Sequence, residues 1–212
     1  MAAGAIVPYI IRRVVKRAVV KRAVRVAWLT GAALATGLLA TTELGERVDV
    51  RLFRAVNRGH GPGADRFFQG ITELGSIWAS IGAAGVLAAG GRRRASARGL
   101  AAASAAWLAG QGLKRLFDRP RPYVADPDGV RLLAHPPRAT SWPSSHPAVL
   151  LAFVTVAGRD LELSVAARTA LRGLSAAVGI SRIHVGVHYP SDVVGGLLLG
   201  QAVGDAVSKD AR

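Results

Sequence analysis

The chain has 212 residues, half of them hydrophobic and 19% charged, with no cysteine and a net charge of +15. Its mean hydropathy is +0.29. So much apolar surface excludes a disordered chain, and the missing cysteine excludes a disulfide scaffold, a thiolate nucleophile and thiolate-ligated zinc or iron–sulfur sites.

Arginine makes up 24 of the 28 basic residues. A nucleic-acid binder would gather them on a polar surface beside stacking aromatics. A GC-rich coding bias would spread arginine, alanine, glycine and valine everywhere. A membrane protein would bunch positive charge in short loops on one side of its spans. The order of elements along the chain separates these readings.

Residues 1–25 hold seven basic residues, with Ile10, Ile11, Val14, Val15, Ala18 and Val19 paired between them. The near-helical period predicts a basic amphipathic helix suited to an anionic membrane surface. The basic stretch is unusually long for the start of a signal peptide. Uncharged runs follow at 26–42, 74–91, 99–113 and 147–158. The first two have membrane-spanning length and the third nearly reaches it. Two weaker candidates bring the expected spans to six: 165–180, which contains Arg168 and Arg172, and 193–204. With the N-terminus inside, 16 basic residues fall on the inner side and 12 on the outer, in the sense of the positive-inside rule. The expected fold class is all-α: an integral membrane helical bundle of six transmembrane helices, with an N-terminal basic amphipathic helix. Residues 1–25 form that basic segment, 26–208 the transmembrane domain and 209–212 a C-terminal tail. The arginines lie between apolar runs, so no nucleic-acid partner is expected. Gly195, Gly196 and Gly200 permit close packing of the last span, within or between chains, which leaves the oligomeric state open.

Residues 115–146 form the longest non-hydrophobic stretch, and their prolines predict a loop. Three clusters flank apolar runs. In the first, Lys114 follows a span and Arg121 comes seven residues later, so a helix end plus a turn brings both onto one anion. A solvated juxtamembrane patch is the plainer reading. In the second, Ser141-Trp142-Pro143-Ser144-Ser145-His146 precedes the 147–158 run. A helix N-terminus offers free N–H groups to an anion, the serines add donors, and His146 exchanges protons near neutral pH. An ordinary serine cap is the alternative. In the third, His184, His188 and Asp192 are spaced by four, as metal ligands on one helix face would be. Pro190 breaks such a helix. Asp192 then reads as the N-cap of the last helix, near Val193, its carboxylate able to hold a ring N–H of His188. All three clusters fall on the outer side. Cations at a membrane boundary are costly unless they serve something, and phosphate is the natural common target.

Lys-x6-Arg-Pro from Lys114 to Pro122, Pro-Ser-x-His from Pro143 to His146, and Ser-Arg-x5-His-x3-Asp from Ser181 to Asp192 occur in that order. Together they resemble the signature of the type 2 phosphatidic acid phosphatase superfamily. That family includes membrane lipid phosphatases, bacterial acid phosphatases and vanadium haloperoxidases. The stretches from Asp49 to Arg54 and from Ile71 to Ser76 also resemble the family's upstream pattern, so the likeness extends over residues 45–205.

The resemblance implies roles for the residues. His188 attacks phosphorus and forms a phosphohistidine, and Asp192 orients it. His146 protonates the leaving oxygen and later helps a water to attack. Lys114, Arg121 and Arg182, with Ser144, Ser145 and backbone N–H groups, hold the phosphoryl oxygens. Ser145 departs from the family's usual glycine, narrowing the pocket or adding a hydroxyl donor. The cations stabilise transition-state charge, so no metal or other cofactor is implied. His184 lies outside the motif and reads as packing or a supporting contact, while His60 and His135 have no role. The implied activity is that of a metal-independent phosphoric monoester hydrolase, or an acid anhydride hydrolase if the substrate is a diphosphate. The implied substrates are membrane lipid phosphates: phosphatidic acid, phosphatidylglycerol phosphate, polyprenyl phosphates or diphosphates, or a phosphorylated polyprenyl sugar. The implied place is the plasma membrane, multi-pass, with both termini cytoplasmic and the site at the outer face. The alternatives are a vanadate-dependent haloperoxidase, usually soluble and much longer, and a non-catalytic membrane protein that binds lipid headgroups.

Overall fold

The computed structural model describes the backbone of residues 3–208 and the side chains of residues 17–208. The amphipathic face expected over residues 10–16 and the tail 209–212 lie outside the described side chains. Among the described residues every regular element is helical. In chain order these are α1 (Ala3–Ala40), α2 (Glu43–Asn57), α3 (Pro62–Thr72), a single 3-10 turn (Glu73–Gly75), α4 (Ile77–Ala89), α5 (Arg93–Lys114), the short α6 (Pro122–Ala125), α7 (Ser145–Asp160), α8 (Val165–His184) and α9 (Pro190–Val207).

The bundle is built around α7. Its twelve consecutive residues 147–158 are all buried. A helix that is apolar on every side must be surrounded on every side, and α4, α5, α8 and α9 pack around this one. Close approach depends on missing side chains. A Cβ on Gly196 of α9 would lie 2.2 Å from the Ser144 carbonyl oxygen, and one on Gly200 would lie 2.4 Å from that of Ala148. The glycine face of the last helix is therefore used within the chain, against α7. On the opposite flank, Gly99 of α5 accommodates the Phe153 ring, which would stand 3.1 Å from an added Cβ.

Three features depart from the sequence expectation. First, the stretch 43–72, for which no element was expected, holds α2 and α3. Thr42 caps α2 by accepting from the Gly45 N–H at 3.2 Å, and Glu43 and Glu46 in the first turn suit the helix dipole. Second, the run 74–91 is not one straight helix. The chain bends by 65° between Pro62–Gly75 and Ile77–Ala89, where Ser76 starts α4 by accepting from the Ala79 N–H at 3.0 Å. Third, one described helix segment, Arg17–Ala40, is long and apolar enough to cross a membrane, and the bent pair is a second if its halves are counted together. α4 with 13 residues and α7 with 16 are short, and α5 and α8 carry arginines along their length. α1 runs without interruption through residue 25.

The elements that frame the site are fixed by polar and aromatic contacts. The Trp142 indole N–H donates to Thr36 Oγ1 of α1 at 3.2 Å, and its ring packs on Phe117 at 4.3 Å. Phe53 of α2 meets Tyr189 edge to face at 5.6 Å. The Asn57 amide at the end of α2 donates to the Arg131 and His184 carbonyls at 2.9 and 2.7 Å, and accepts from the Arg131 N–H at 2.9 Å. These bonds tie α2, the 126–140 segment and the end of α8 together.

Candidate active site

Four pieces of chain meet at the N-terminal end of α7: the end of α5, the 115–144 segment, the first turn of α7, and the turn between α8 and α9. The 115–144 segment is an ordered wall, with Arg119, Arg121, Ser141 and Trp142 all buried. Pro120 and Pro122 keep the residues before them extended. Arg119 and Arg121 nevertheless face two different environments, Arg119 turning to the carboxylates of Asp49 and Asp192 and Arg121 to His188 and the Val187 carbonyl. The Trp142–Pro143 peptide is cis.

His188 is 2% exposed. It is delivered by a turn in which Gly186 has φ +86°, a conformation that favours glycine. A Cβ there would also lie 2.5 Å from the Arg131 carbonyl oxygen. The His188 and Val187 N–H groups both donate to the Arg182 carbonyl, at 3.3 and 3.1 Å. On one side of the ring, Nδ1 lies 3.3 Å from Asp192 Oδ2; on the other, Arg121 Nη1 lies 3.1 Å from Nε2. A guanidinium only donates, so Nε2 is the acceptor and Nδ1 carries the proton towards Asp192. That tautomer keeps the lone pair on Nε2, where it accepts from Arg121.

Asp192 does not cap α9 as its spacing predicted. Pro190 occupies the first helical position, so the helix starts earlier, with Tyr189 as its N-cap and Asp192 as its third residue. The carboxylate reaches back to the Tyr189 N–H at 2.8 Å. The same oxygen accepts from Ser141 Oγ and faces His188. Its contact with His188 is as expected, reached from a different helical position.

The cations are arranged in a graded way. Lys114 Nζ donates to the carbonyls of Thr140, Ser141 and Pro143 at 2.8, 3.1 and 2.9 Å. These bonds use all three of its donors. Lys114 therefore holds the loop under the site and contributes its charge there. Arg121 binds the Ala139, Val187 and Thr140 carbonyls at 2.6, 2.8 and 3.3 Å besides His188. Arg182 donates to Thr72 Oγ1 at 2.9 Å, while its buried Nε has no partner among the described residues. Ser144 Oγ is likewise buried and unpartnered, and the Ser144 N–H donates to the Asp192 carbonyl at 2.9 Å. Ser145 turns its hydroxyl towards α5, 3.4 Å from the Gln111 amide nitrogen and against Gly110, whose lack of a side chain makes the room. His146 sits under the 3-10 turn, where a Cβ on Gly75 would lie 2.8 Å from His146 Cβ.

Burial and mutual repulsion set the protonation of this cluster. His188 is driven well below its ordinary range by burial and by Arg121, Lys114 and Arg182. Among the described residues no carboxylate lies at ion-pair distance from Lys114, Arg121 or Arg182.

Sequence reasoning gave no role to Asp49, Arg119 or Ser191, and counted Ser141 only among the donors of the second cluster. Arg119 donates to Asp192 Oδ1 at 2.8 Å and to Asp49 Oδ2 at 2.7 Å. The alternation of Arg and Pro from residue 119 to 122 was the available signal. His184 turns away from His188. Its Nε2 lies 2.8 Å from Asp65 Oδ1, and its ring lies 4.3 Å from Phe68. The residues His184, His188 and Asp192 therefore do not converge on one point. No group of three such side chains that could hold a metal ion occurs among the described residues. A cleft of about 200 Å³ opens beside Arg119, Tyr189, Trp142 and the end of α1, but His146, His188 and Arg182 do not line it.

A family model of the PAP2 superfamily matches residues 96–210. The decaprenylphosphoryl-5-phosphoribose phosphatases of two Mycobacterium tuberculosis strains are 32% identical over 149 residues, 69% of this chain and 80% of theirs. The transmembrane PAP2-type phosphatidylglycerolphosphate phosphatase of Bacillus subtilis superposes with a TM-score of 0.74 at 22% identity, covering 86% of this chain and 94% of that one. LpxE of Aquifex aeolicus superposes with a TM-score of 0.66 at 28% identity, covering 76% and 94%. The chain belongs to the PAP2 superfamily, and it is a phosphatase.

Proposed function

We propose that this chain is a membrane-embedded lipid phosphate phosphatase that works through a phosphohistidine at His188. The observation that carries the reading is the ring of His188, with Nδ1 facing Asp192 and Nε2 facing Arg121, beside Lys114, Arg121 and Arg182, which have no carboxylate at ion-pair distance among the described residues. Nε2 attacks phosphorus, and the bond from phosphorus to the leaving oxygen breaks. The leaving oxygen takes its proton from His146. Arg121 hands its Nη1 contact from Nε2 to a phosphoryl oxygen, while Arg182 Nε and Ser144 Oγ supply the two unused polar atoms. The substrate's negative charge is the counter-ion for these cations and favours the protonated form of His146. Water then attacks phosphorus, His146 takes its proton, and the P–Nε2 bond breaks to release phosphate and restore His188. Converging cations and hydrogen-bond donors stabilise such a transition state by preorganisation.

The membrane setting rests on the apolar Arg17–Ala40 segment, of whose apolar window only 22% is buried inside the protein, and on the likeness to a transmembrane phosphatase. In this reading α1, the bent α3–α4 pair, α5, α7, α8 and α9 are the six spans. The site lies at the outer face and both termini are cytoplasmic. The relatives from Mycobacterium tuberculosis favour a phosphorylated polyprenyl sugar as substrate. Detergent-purified protein, assayed with EDTA on phosphatidic acid, phosphatidylglycerol phosphate, polyprenyl mono- and diphosphates and a phosphorylated polyprenyl ribose, should release phosphate fastest from the last. Release should vanish in His188→Ala. Activity lost to EDTA and restored by a divalent ion, or retained in His188→Ala, contradicts the mechanism; a faster rate on another lipid replaces only the substrate.

A further inference from the structure

Behind the His188–Asp192 pair lies a second, buried charge layer. Asp49 of α2, Arg119 and Asp192 are 4%, 9% and 0% exposed. The two Asp192 oxygens are divided between the layers: Oδ2 serves Ser141, Tyr189 and His188, and Oδ1 accepts from Arg119 Nη1 at 2.8 Å. Arg119 also reaches Ser191 Oγ at 2.7 Å and Asp49 Oδ2 at 2.7 Å, and its Cζ lies 4.2 Å over the Tyr189 ring. Asp49 Oδ1 accepts from the Ser191 N–H at 2.9 Å, and its other oxygen accepts from Ser191 Oγ. Both carboxylates therefore have each of their oxygens engaged.

The charge sequence from α2 inward is minus, plus, minus. An Asp–Arg pair alone is neutral, and Arg119 by itself would cancel most of the field that Asp192 directs at the imidazole. In a buried, weakly screening interior that loss is large. We infer that Asp49 and Arg119 are positioning residues for the nucleophile. Arg119 fixes the Asp192 carboxylate so that Oδ2 stays on Nδ1. Asp49 neutralises Arg119, so that Asp192 keeps a full net negative charge to hold the Nδ1 proton and stabilise the cationic phosphohistidine. Lys114, Arg121, Arg182 and His146 act on His188 from the phosphate side with the opposite sign. Tyr189 and Glu46 are the other titratable groups beside the pair. The inference rests on His188 as nucleophile and adds a function for α2, a helix remote in sequence from the three motifs.

The test is the pH dependence of kcat/KM for wild type, Asp49→Asn, Arg119→Gln and the double variant, each as full-length protein in detergent, on the lipid of the panel that wild type hydrolyses fastest. The acidic limb reports the loss of activity as His188 gains a proton; the substrate's own ionisation is common to all four proteins. Asp49→Asn makes the surroundings of His188 more positive, so the limb moves to lower pH, by about one unit. Arg119→Gln makes them more negative, so the limb moves to higher pH. The double variant removes one charge of each sign, and its limb returns towards wild type. Opposite shifts with return in the double variant support the pair. Limbs that stay in place, shift the same way, or fail to return in the double variant overturn it and leave only a packing role. A parallel alkaline-quenched label on wild type and His188→Ala separates the two readings. No label on wild type at His188 defeats the nucleophile assignment, whereas a normal label with immobile limbs defeats the pair alone.

Discussion

The two ends of α7 treat positive charge in opposite ways. At its C-terminal end each buried acid is matched by arginine: Asp205 by Arg159 at 2.7 Å and Arg25 at 3.0 Å, and Asp160 by Arg98 and more distantly Arg94. At its N-terminal end Lys114, Arg121 and Arg182 bind carbonyls, a hydroxyl and an imidazole, with no carboxylate at ion-pair distance among the described residues. Matched charge locks helices to one another. Unmatched charge, held in place by neutral dipoles, is preorganised for an anion that comes and goes. Arg119 refines the comparison: it lies at the catalytic end yet is matched twice, by Asp49 and Asp192, so it serves the carboxylate and not the phosphate.

The largest effect expected from breaking this contrast is at the unmatched end. Arg182→Gln removes a charge whose Nε is free for a phosphoryl oxygen, so kcat should fall by roughly 10²–10³ with helix content unchanged by circular dichroism. A smaller effect should follow at Lys114, whose three N–H donors are engaged by the loop and whose charge acts on the anion from beneath the site. Lys114→Met should weaken inhibition by tungstate, a dianion, by roughly tenfold, with helix content unchanged by circular dichroism. At the matched end the consequence should be stability alone. Asp205→Asn leaves Arg159 and Arg25 without their carboxylate, and should cost about 1–3 kcal/mol and lower Tm while kcat stays at the wild-type value. A kcat loss in Asp205→Asn as large as that in Arg182→Gln would erase the distinction between the ends.

Much of the catalytic end was legible because its chemistry is local. Lys114 and Arg121 are separated by one helix end and a proline-stiffened turn. His188 and Asp192 are separated by one turn across Pro190, and the buried run of α7 announces itself as an uncharged stretch. What the sequence hid is long-range. Asp49 reaches Arg119 across 70 residues and Ser191 across 142, and no spacing rule connects them. The helices over 43–72 were hidden by their charge, because a surface helix with one apolar face resembles a polar loop to a hydropathy count. The bend after Gly75 was hidden because the apolar run continues through it. Ser145 looked like a departure at the phosphate, but its fit depends on Gly110 of a different helix.

The most direct measurement of the central claim is a single-turnover reaction with phosphate-labelled polyprenyl phosphoribose, quenched in alkali, followed by peptide mapping. The account predicts label on the peptide containing His188, with no label and no turnover in His188→Ala. Label on another residue, or product formed by His188→Ala, would contradict it.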